Sequence, residues 1–337
     1  MAKIILTGAS GFIGRHVLGG LIEDGHTILA PSRCIDKLSE EFDSSPRVTL
    51  LNGRFDAPEI LQEYHNFAPD MILHFAAIRG DGNGRWKDYY DVNVRGTHKL
   101  VEFSLHHNIT RFVYCSTVGV YGTIPCRLPA DPWTYADPEG NYHISKYKAE
   151  KLIVHRLKGK IPFVIFRPTI TYGMGDNGFL PKLISMVRKH YFPLINQDIL
   201  IHLLNVNILR EFIQKVVKHE ELPQDFILNL ADKTPVPLTD LVDLIHQYFY
   251  GSPYPRKFLS PPFLFRVAEG LTNVVNIKGI HISLKLISRS WYYDTSYIEK
   301  LCSCPLADTL ESVAQYLKEA YPKHESAPVN QSVSTGS

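Results

Sequence analysis

The sequence predicts an α/β protein: a doubly wound parallel sheet followed by a smaller carboxyl-terminal α/β lobe. Three observations predict it. Short, nearly continuous apolar runs alternate with amphipathic stretches through the first half of the chain. A glycine-rich turn separates the first such run from the first helical pattern, and the alternation stops after Pro168. Apolar runs without a polar face are what strands show when helices cover both sides of a sheet. Alternation of strand and helix argues parallel strands joined by right-handed crossovers.

Strands are expected at 3–6, 27–30, 48–51, 71–75, 112–115 and 163–166, and helices near 12–24, 57–66, 86–106 and 141–157. Beyond Pro168, helices are expected near 178–189, 207–217, 238–249 and 308–320, with one more strand at 226–230. This divides the chain into a sheet domain, 1–170, to which 203–232 returns, and a lobe formed by 171–202 and 233–323. The Ser-rich stretch 324–337 reads as a disordered tail. No internal repeat is visible.

Gly8, Gly11 and Gly14 stand three apart in Thr7-Gly8-Ala9-Ser10-Gly11-Phe12-Ile13-Gly14, between the first strand and first helix. Each has a task in a dinucleotide turn: a tight bend, close approach of backbone to pyrophosphate, and close helix–strand packing. The helix that follows offers free N–H groups and the positive end of its dipole to phosphate. Gly8, Ser10, Gly11, Phe12, Ile13 and Gly14 are therefore candidate cofactor-binding residues in a Rossmann-like domain. About 20 residues on, such folds carry an acid for the ribose 2′-hydroxyl or an Arg for a 2′-phosphate. Here the strand ends Ala30-Pro31-Ser32-Arg33, with Asp36 three residues later. Arg33 leans the choice between NAD and NADP slightly to NADP; a solvated surface Arg is the competing reading.

Tyr142 and Lys146 are four apart, which puts them on one helix face. A free phenol ionises near pH ~10, too high for a base at neutral pH. A neighbouring ammonium stabilises phenolate and lowers that value. Ser116-Thr117 follows the fifth apolar run, where a parallel sheet meets its ligand. Thr117 is thus a candidate to hold a substrate oxygen while Tyr142 moves its proton.

Together these pieces resemble the extended short-chain dehydrogenase/reductase family, the NAD-dependent epimerase/dehydratase family, from Lys3 to about Leu230. The resemblance rests on the glycine turn, His74-Phe75-Ala76-Ala77, Asn93-Val94-Arg95-Gly96-Thr97, Ser116 to Gly122, Tyr142 with Lys146, and Arg167-Pro168-Thr169-Ile170-Thr171-Tyr172-Gly173. It implies catalytic roles for Thr117, Tyr142 and Lys146, and cofactor contacts from Phe75, Ala76 and Ala77. It also implies a buttressing Asn93, and Pro168 to Ile170 beside the nicotinamide. It implies hydride transfer between nicotinamide and a hydroxyl or carbonyl carbon, a sugar-nucleotide or related small-molecule substrate, and a homodimer through the helices near 95–106 and 142–157.

Three departures qualify the likeness. Val118 and Gly119 stand where 4,6-dehydratases carry an Asp-Glu pair, so a dehydratase is not expected. Arg54 follows Gly53 where relatives place an adenine-contacting Asp, which leaves Phe55 to pack there. The stretch 196–206 lacks the Arg that clamps a pyrophosphate in sugar-nucleotide enzymes. Asp88 to Val94, by contrast, is similar to the matching helix of UDP-galactose 4-epimerases. An epimerase, an NADP-dependent reductase or dehydrogenase of a non-nucleotide substrate, and a non-catalytic dinucleotide sensor stay open.

Composition narrows the partners. Of 337 residues, 36 are Lys or Arg and 34 Asp or Glu, a net charge of +2 that attracts neither nucleic acid nor anionic lipid in bulk. Five scattered Cys, with no zinc-site spacing around Cys302 and Cys304, read as free thiols of a reducing cytosol, and no metal site is expected. The first apolar run is too short for a signal peptide, and no run reaches the ~18 residues of a membrane span. The glycine-rich run 80–84 reads as a loop at the crevice. The apolar stretch 261–287 reads as core of the second lobe, with a greasy pocket as the alternative.

Overall fold

The computed structural model describes residues 1–42, 45–80, 84–218, 223–256, 259–261, 263–265, 267–268, 278–298 and 306–322. The expected tail 324–337 lies outside them, as do Cys302, Cys304 and the middle of the 80–84 loop. The first six strands are β1 (Lys3–Thr7), β2 (Thr27–Ser32), β3 (Val48–Asn52), β4 (Met71–His74), β5 (Arg111–Cys115) and β6 (Phe163–Pro168). Short strands follow at β7 (Ile170–Tyr172), β8 (Leu194–Ile195), β9 (Leu200–Ile201) and β10 (Leu203–Asn205), then the longer β11 (Asp225–Leu230), and β12 (Val236–Pro237) and β13 (Leu259–Ser260).

Seven strands form one parallel sheet in the order β11-β6-β5-β4-β1-β2-β3. The order reverses between β1 and β4, the switch point where such sheets open a crevice at their carboxyl ends. Register brings the ends level: Thr7 pairs with His74, His74 with Tyr114, and Cys115 with Phe166.

Helices α1 (Phe12–Glu23), α2 (Asp36–Phe42), α3 (Pro58–Phe67), α4 (Trp86–Tyr89), α5 (Thr97–His106) and α6 (Gly140–Leu157) cover the sheet. One face buries Val17, Leu21 and Val113 with Phe212 of α8 (Val206–Lys218); the other buries Tyr64, Leu100, Phe112 and Ile153. The expected single helix over 86–106 is interrupted: a π-helical stretch, Tyr90–Gly96, joins α4 to α5. The Thr97 hydroxyl donates to the Asn93 carbonyl at 2.7 Å, and the Thr97 N–H bonds Val94 instead. A hydroxyl that takes a helix carbonyl four residues back competes with the backbone ladder and bends the helix there.

The second lobe has its own core around Leu183, Ile201, Leu241, Trp291 and Val313. Helices α7 (Phe179–Arg188) and α9 (Leu238–Tyr250), with helices Lys278–Ser288 and Thr309–Ala320, enclose it. The helix Lys278–Ser288 was not among the expected elements; Leu284, Leu286 and Ile287 pack on this core, whereas Phe263, Leu264 and Val267 are exposed. The short strands β7–β10, β12 and β13 were equally illegible, because two or three residues carry no periodicity. Among the described residues, no helix is long and apolar enough to cross a membrane.

Asp232 joins the lobe to the sheet. Its carboxyl receives hydrogen bonds from the Asn205 N–H (2.7 Å), the Thr309 hydroxyl (2.7 Å) and the Tyr172 hydroxyl (3.0 Å). Burial pushes this carboxyl up to about 6. Buried His202 donates from Nε2 to the Asp232 carbonyl at 2.9 Å and accepts the Tyr293 N–H at Nδ1; burial pulls it down to about 4. The raised carboxyl contributes stability below its ordinary pKa that is lost as pH rises through about 6. The lowered imidazole contributes stability above its ordinary pKa that is lost as pH falls through about 4. The two oppose each other across that interval. In urea unfolding from pH 4 to 7, Asp232→Asn is expected to steepen the loss of stability on acidification and His202→Gln to flatten it, each by roughly 1–3 kcal/mol. Parallel profiles for both variants would remove this account.

Candidate active site

The crevice floor is built from glycine. Gly8 adopts φ +79°, and a Cβ there would stand 2.6 Å from the Ala76 nitrogen and 2.7 Å from the Phe75 carbonyl carbon. A Cβ on Gly14 would overlap the Gly8 carbonyl. The turn therefore lies directly on the end of β4, and the structure brings the Gly8 and Phe75-Ala76 pieces together. The Gly11 N–H closes the turn on the Gly8 carbonyl at 3.0 Å, and Gly11 caps α1 with no side-chain acceptor. The first N–H groups of a helix have no intrahelical acceptor, and α1 begins at this turn, the arrangement that receives an anion.

Beneath the turn, one chain of hydrogen bonds locks the strand ends. The Ala76 N–H donates to Thr7 Oγ1 (3.2 Å), which donates to His74 Nδ1 (2.7 Å); His74 Nε2 donates to Thr97 Oγ1 (2.9 Å). Thr97 spends its own hydrogen on Asn93, so only the neutral Nε2–H tautomer satisfies every partner. Burial, then the charge of Lys146, holds His74 well below its ordinary pKa.

Asn93 projects from the π-helical turn and is 1% exposed. Its Oδ1 accepts the Ile78 N–H at 2.8 Å; its Nδ2 donates to the Ile78 carbonyl (3.0 Å) and to Ser145 Oγ (2.9 Å). Ser145 donates to the Tyr142 carbonyl at 2.7 Å. Asn93 thus ties the backbone beyond Ala77 to the helical turn that carries Tyr142.

Along α6, Tyr142, Lys146 and Glu150 succeed one another at four-residue steps. Tyr142 is half-buried, and Lys146 is 1% exposed. Burial pulls the Lys146 ammonium down to about 8, with Cys115 and Glu150 acting against it. Glu150 is held by a buried bidentate pair with Arg167, at 2.9 and 2.6 Å. Arg167 also donates to the Tyr121 hydroxyl (2.7 Å) and the Pro132 carbonyl (3.0 Å), and Tyr121 donates to Asn229 (2.7 Å). Arg167 is thereby fixed, and with it the buried Pro168 and Thr169 and the half-buried Ile170 that continue the strand.

Thr117 caps the short 3-10 turn Val118–Tyr121, its hydroxyl oxygen accepting the Gly119 N–H at 3.1 Å. That turn abuts α6: a Cβ on Gly119 would fall inside the His143 ring. The turn bearing Thr117 and the turn bearing Tyr142 are therefore neighbours across the crevice. The Thr117 hydroxyl hydrogen has no acceptor among the described residues.

Arg33 is exposed beyond β2, where Ser32 donates to Ser10 at 3.0 Å and no carboxylate ends the strand. Phe12 lies beside His16, and Phe75 beside Phe166; Ile13 packs on the core, and Ala77 is half-buried. Phe55 turns into the core, 6% exposed, against His74 and beneath Gly96. Arg54 pairs with Asp56. Sequence reasoning missed Thr7, Thr97, Tyr121, Glu150 and Asn229. Thr7, Thr97 and Tyr121 lie inside the quoted motifs without an assigned role, and Glu150 stands one helical turn beyond Lys146. Among the described residues, no cluster of metal-binding side chains occurs, and Cys34, Cys115 and Cys126 are free.

A doubly wound sheet with a glycine turn at its switch point, and a helix presenting Tyr and Lys over the fifth strand, defines a protein of the short-chain dehydrogenase type. The chain belongs to the NAD dependent epimerase/dehydratase family, whose profile matches residues 4–213. It is 28% identical over 207 residues to a putative UDP-glucose 4-epimerase of Methanocaldococcus jannaschii, covering 58% of this chain and 66% of that protein. It is 30% identical over 192 residues to a 2-alkyl-3-oxoalkanoate reductase of Stenotrophomonas maltophilia, covering 56% of each. The matches thus span between about half and two thirds of these curated relatives. In fold, the chain is similar to the UDP-glucuronic acid 4-epimerase of Bacillus cereus in complex with NAD, with a TM-score of 0.73, 17% identity, and 95% of this chain and 99% of that one covered.

Breaking a buried ion pair leaves one charge stranded, whereas removing both leaves none. Arg167→Met is expected to cost about 3–5 kcal/mol in urea unfolding, and Arg167→Met with Glu150→Met to recover much of that loss. A double variant no more stable than the single one would show that Arg167 acts mainly through Tyr121 and Pro132.

Proposed function

We propose that this chain is a nicotinamide-dependent oxidoreductase or epimerase in which Tyr142 exchanges a proton with a substrate hydroxyl while the attached carbon exchanges hydride with the cofactor. The observation that carries the reading is the abutment of the Thr117 turn on the turn of α6 that carries Tyr142, with Lys146 buried one turn behind. The dinucleotide would lie with its pyrophosphate on the Gly8–Gly14 turn, its ribose beside Tyr142 and Lys146, and its nicotinamide near Pro168 and Ile170. Bound there, it supplies the hydride acceptor or donor. Thr117 keeps a hydroxyl hydrogen for the substrate oxygen, and Tyr142 takes or returns the proton. Lys146, positive and close, favours the phenolate form of Tyr142. Chains of buried hydrogen bonds through His74 and Asn93 hold these groups in place, which is the preorganisation that such catalysis needs.

The substrate is a hydroxyl or keto compound, and the relatives name two kinds: a UDP-sugar and a 2-alkyl-3-oxoalkanoate. Elimination of water is not part of the proposal, because Val118 and Gly119 offer neither acid nor base beside Thr117. For the cofactor, exposed Arg33 and the Ser10 and Ser32 hydroxyls support a 2′-phosphate, hence NADP. The Bacillus cereus structure holds NAD, which keeps NAD as the alternative. Assembly as a homodimer through α5 and α6 belongs to the same reading.

Tyr142→Phe is expected to bind dinucleotide as the parent does and to lose at least about 100-fold in nicotinamide-linked turnover of UDP-glucose or of a 3-oxoalkanoate, the range of a lost general acid–base group. Unchanged turnover on either would end the catalytic reading. For the cofactor, calorimetric titration with NADPH and NADH is expected to favour NADPH, and Arg33→Ala to remove that preference. Tighter binding of NADH by the parent chain would reverse the assignment.

A further inference from the structure

Lys146 is a cation sealed inside the protein. A buried ammonium normally neutralises or finds a carboxylate. The nearest carboxylate along its own helix is Glu150, and both Glu150 oxygens are held by Arg167. Among the described residues, no carboxylate forms an ion pair with Lys146. What lies against it is an aromatic face: Lys146 Nζ sits 4.0 Å from the centroid of the Tyr114 ring, on β5, and Tyr114 is 0% exposed. Burial holds the Tyr114 phenol well above its ordinary pKa, so the ring stays neutral.

We infer that Tyr114 is a positioning residue for the Lys146–Tyr142 pair, its ring face supporting the ammonium so that the positive charge stays undiminished for Tyr142. An ion pair would hold Lys146 equally well, but it would cancel the field that stabilises a phenolate one turn away. A ring quadrupole attracts a cation without neutralising it. Arg167 completes the division of labour by occupying the one carboxylate on that helix face. This role rests on Tyr142 being the acid–base group, yet the Tyr114–Lys146 contact can be measured without any substrate.

The other groups whose charge bears on Lys146 are the Cys115 thiol and the His74 imidazole on the sheet, and Glu150 on α6; Tyr142 also lies on α6. Cys115 is pushed up to about 11 by burial and His74 is held neutral, so neither supplies a counter-charge near neutral pH.

The test is the titration of Lys146 in the full chain without cofactor, followed by NMR of 13Cε-labelled lysine. The resonance is assigned by its loss in Lys146→Met. Tyr114→Phe keeps the ring and is expected to leave the midpoint where it is. Replacement of Tyr114 by a trifluorinated phenylalanine keeps the shape but drains the ring face. It is expected to lower the midpoint by about half to one pH unit. The Tyr142 phenol, followed through 13Cζ-tyrosine, is expected to move upward in the same variant. A midpoint that stays fixed on fluorination, or that moves as far in Tyr114→Phe, would overturn the role. A chain that transfers no hydride but whose Lys146 responds to fluorination would sink the catalytic reading alone and leave the contact standing.

Discussion

Glu150 and Arg167 form the buried pair on which the rest of the site depends. Burying two charges is expensive, and the cost is offset only when every lone pair and N–H finds a partner. Here the guanidinium reaches both Glu150 oxygens, the Tyr121 hydroxyl and the Pro132 carbonyl. The pair clamps the middle of α6 to the end of β6. It therefore sets how far Tyr142 and Lys146 stand from the strand ends, and it holds the chain that leads to Ile170. Without it, α6 would be fixed to the sheet by apolar contacts and the Lys146–Tyr114 contact, which tolerate sliding more readily than a bidentate pair does.

Around that clamp, the crevice is organised by what is missing as much as by what is present. Gly8 and Gly14 lack side chains, so backbone meets backbone and the first N–H groups of α1 are brought to the switch point of the sheet. Gly119 lacks one too, so the Thr117 turn can settle on α6. Between these contacts, the Thr7–His74–Thr97 chain and the Asn93–Ser145 link tie the strand ends to α6. Low dielectric strengthens each of these bonds and makes a half-satisfied network costly.

The second lobe follows a different logic. Its core is built from short strands and amphipathic helices that meet across loops, and its seam with the sheet is a buried carboxyl held by hydroxyl and amide donors. Asp232 and His202 are polar groups in apolar surroundings whose titrations pull stability in opposite directions. His74 in the sheet domain, also held neutral by burial, acts in the same direction as His202, whereas the raised carboxyl of Asp232 acts against both.

The sequence by itself determined the alternating sheet, the glycine turn and the Tyr142–Lys146 spacing, because each is written in local periodicity or in neighbouring residues. Apolar runs predict buried strands, three glycines predict close backbone contact, and a four-residue step predicts one helix face. The tertiary structure alone decided that Glu150 goes to Arg167 and that Lys146 goes to the ring of Tyr114. It alone decided that Phe55 turns into the core, and that the helix over 86–106 widens at Asn93. Those outcomes depend on which distant side chain the fold brings to a given donor, acceptor or void. Partners separated by 17 residues, or by 108 as for Tyr121 and Asn229, leave no periodic trace in a single sequence.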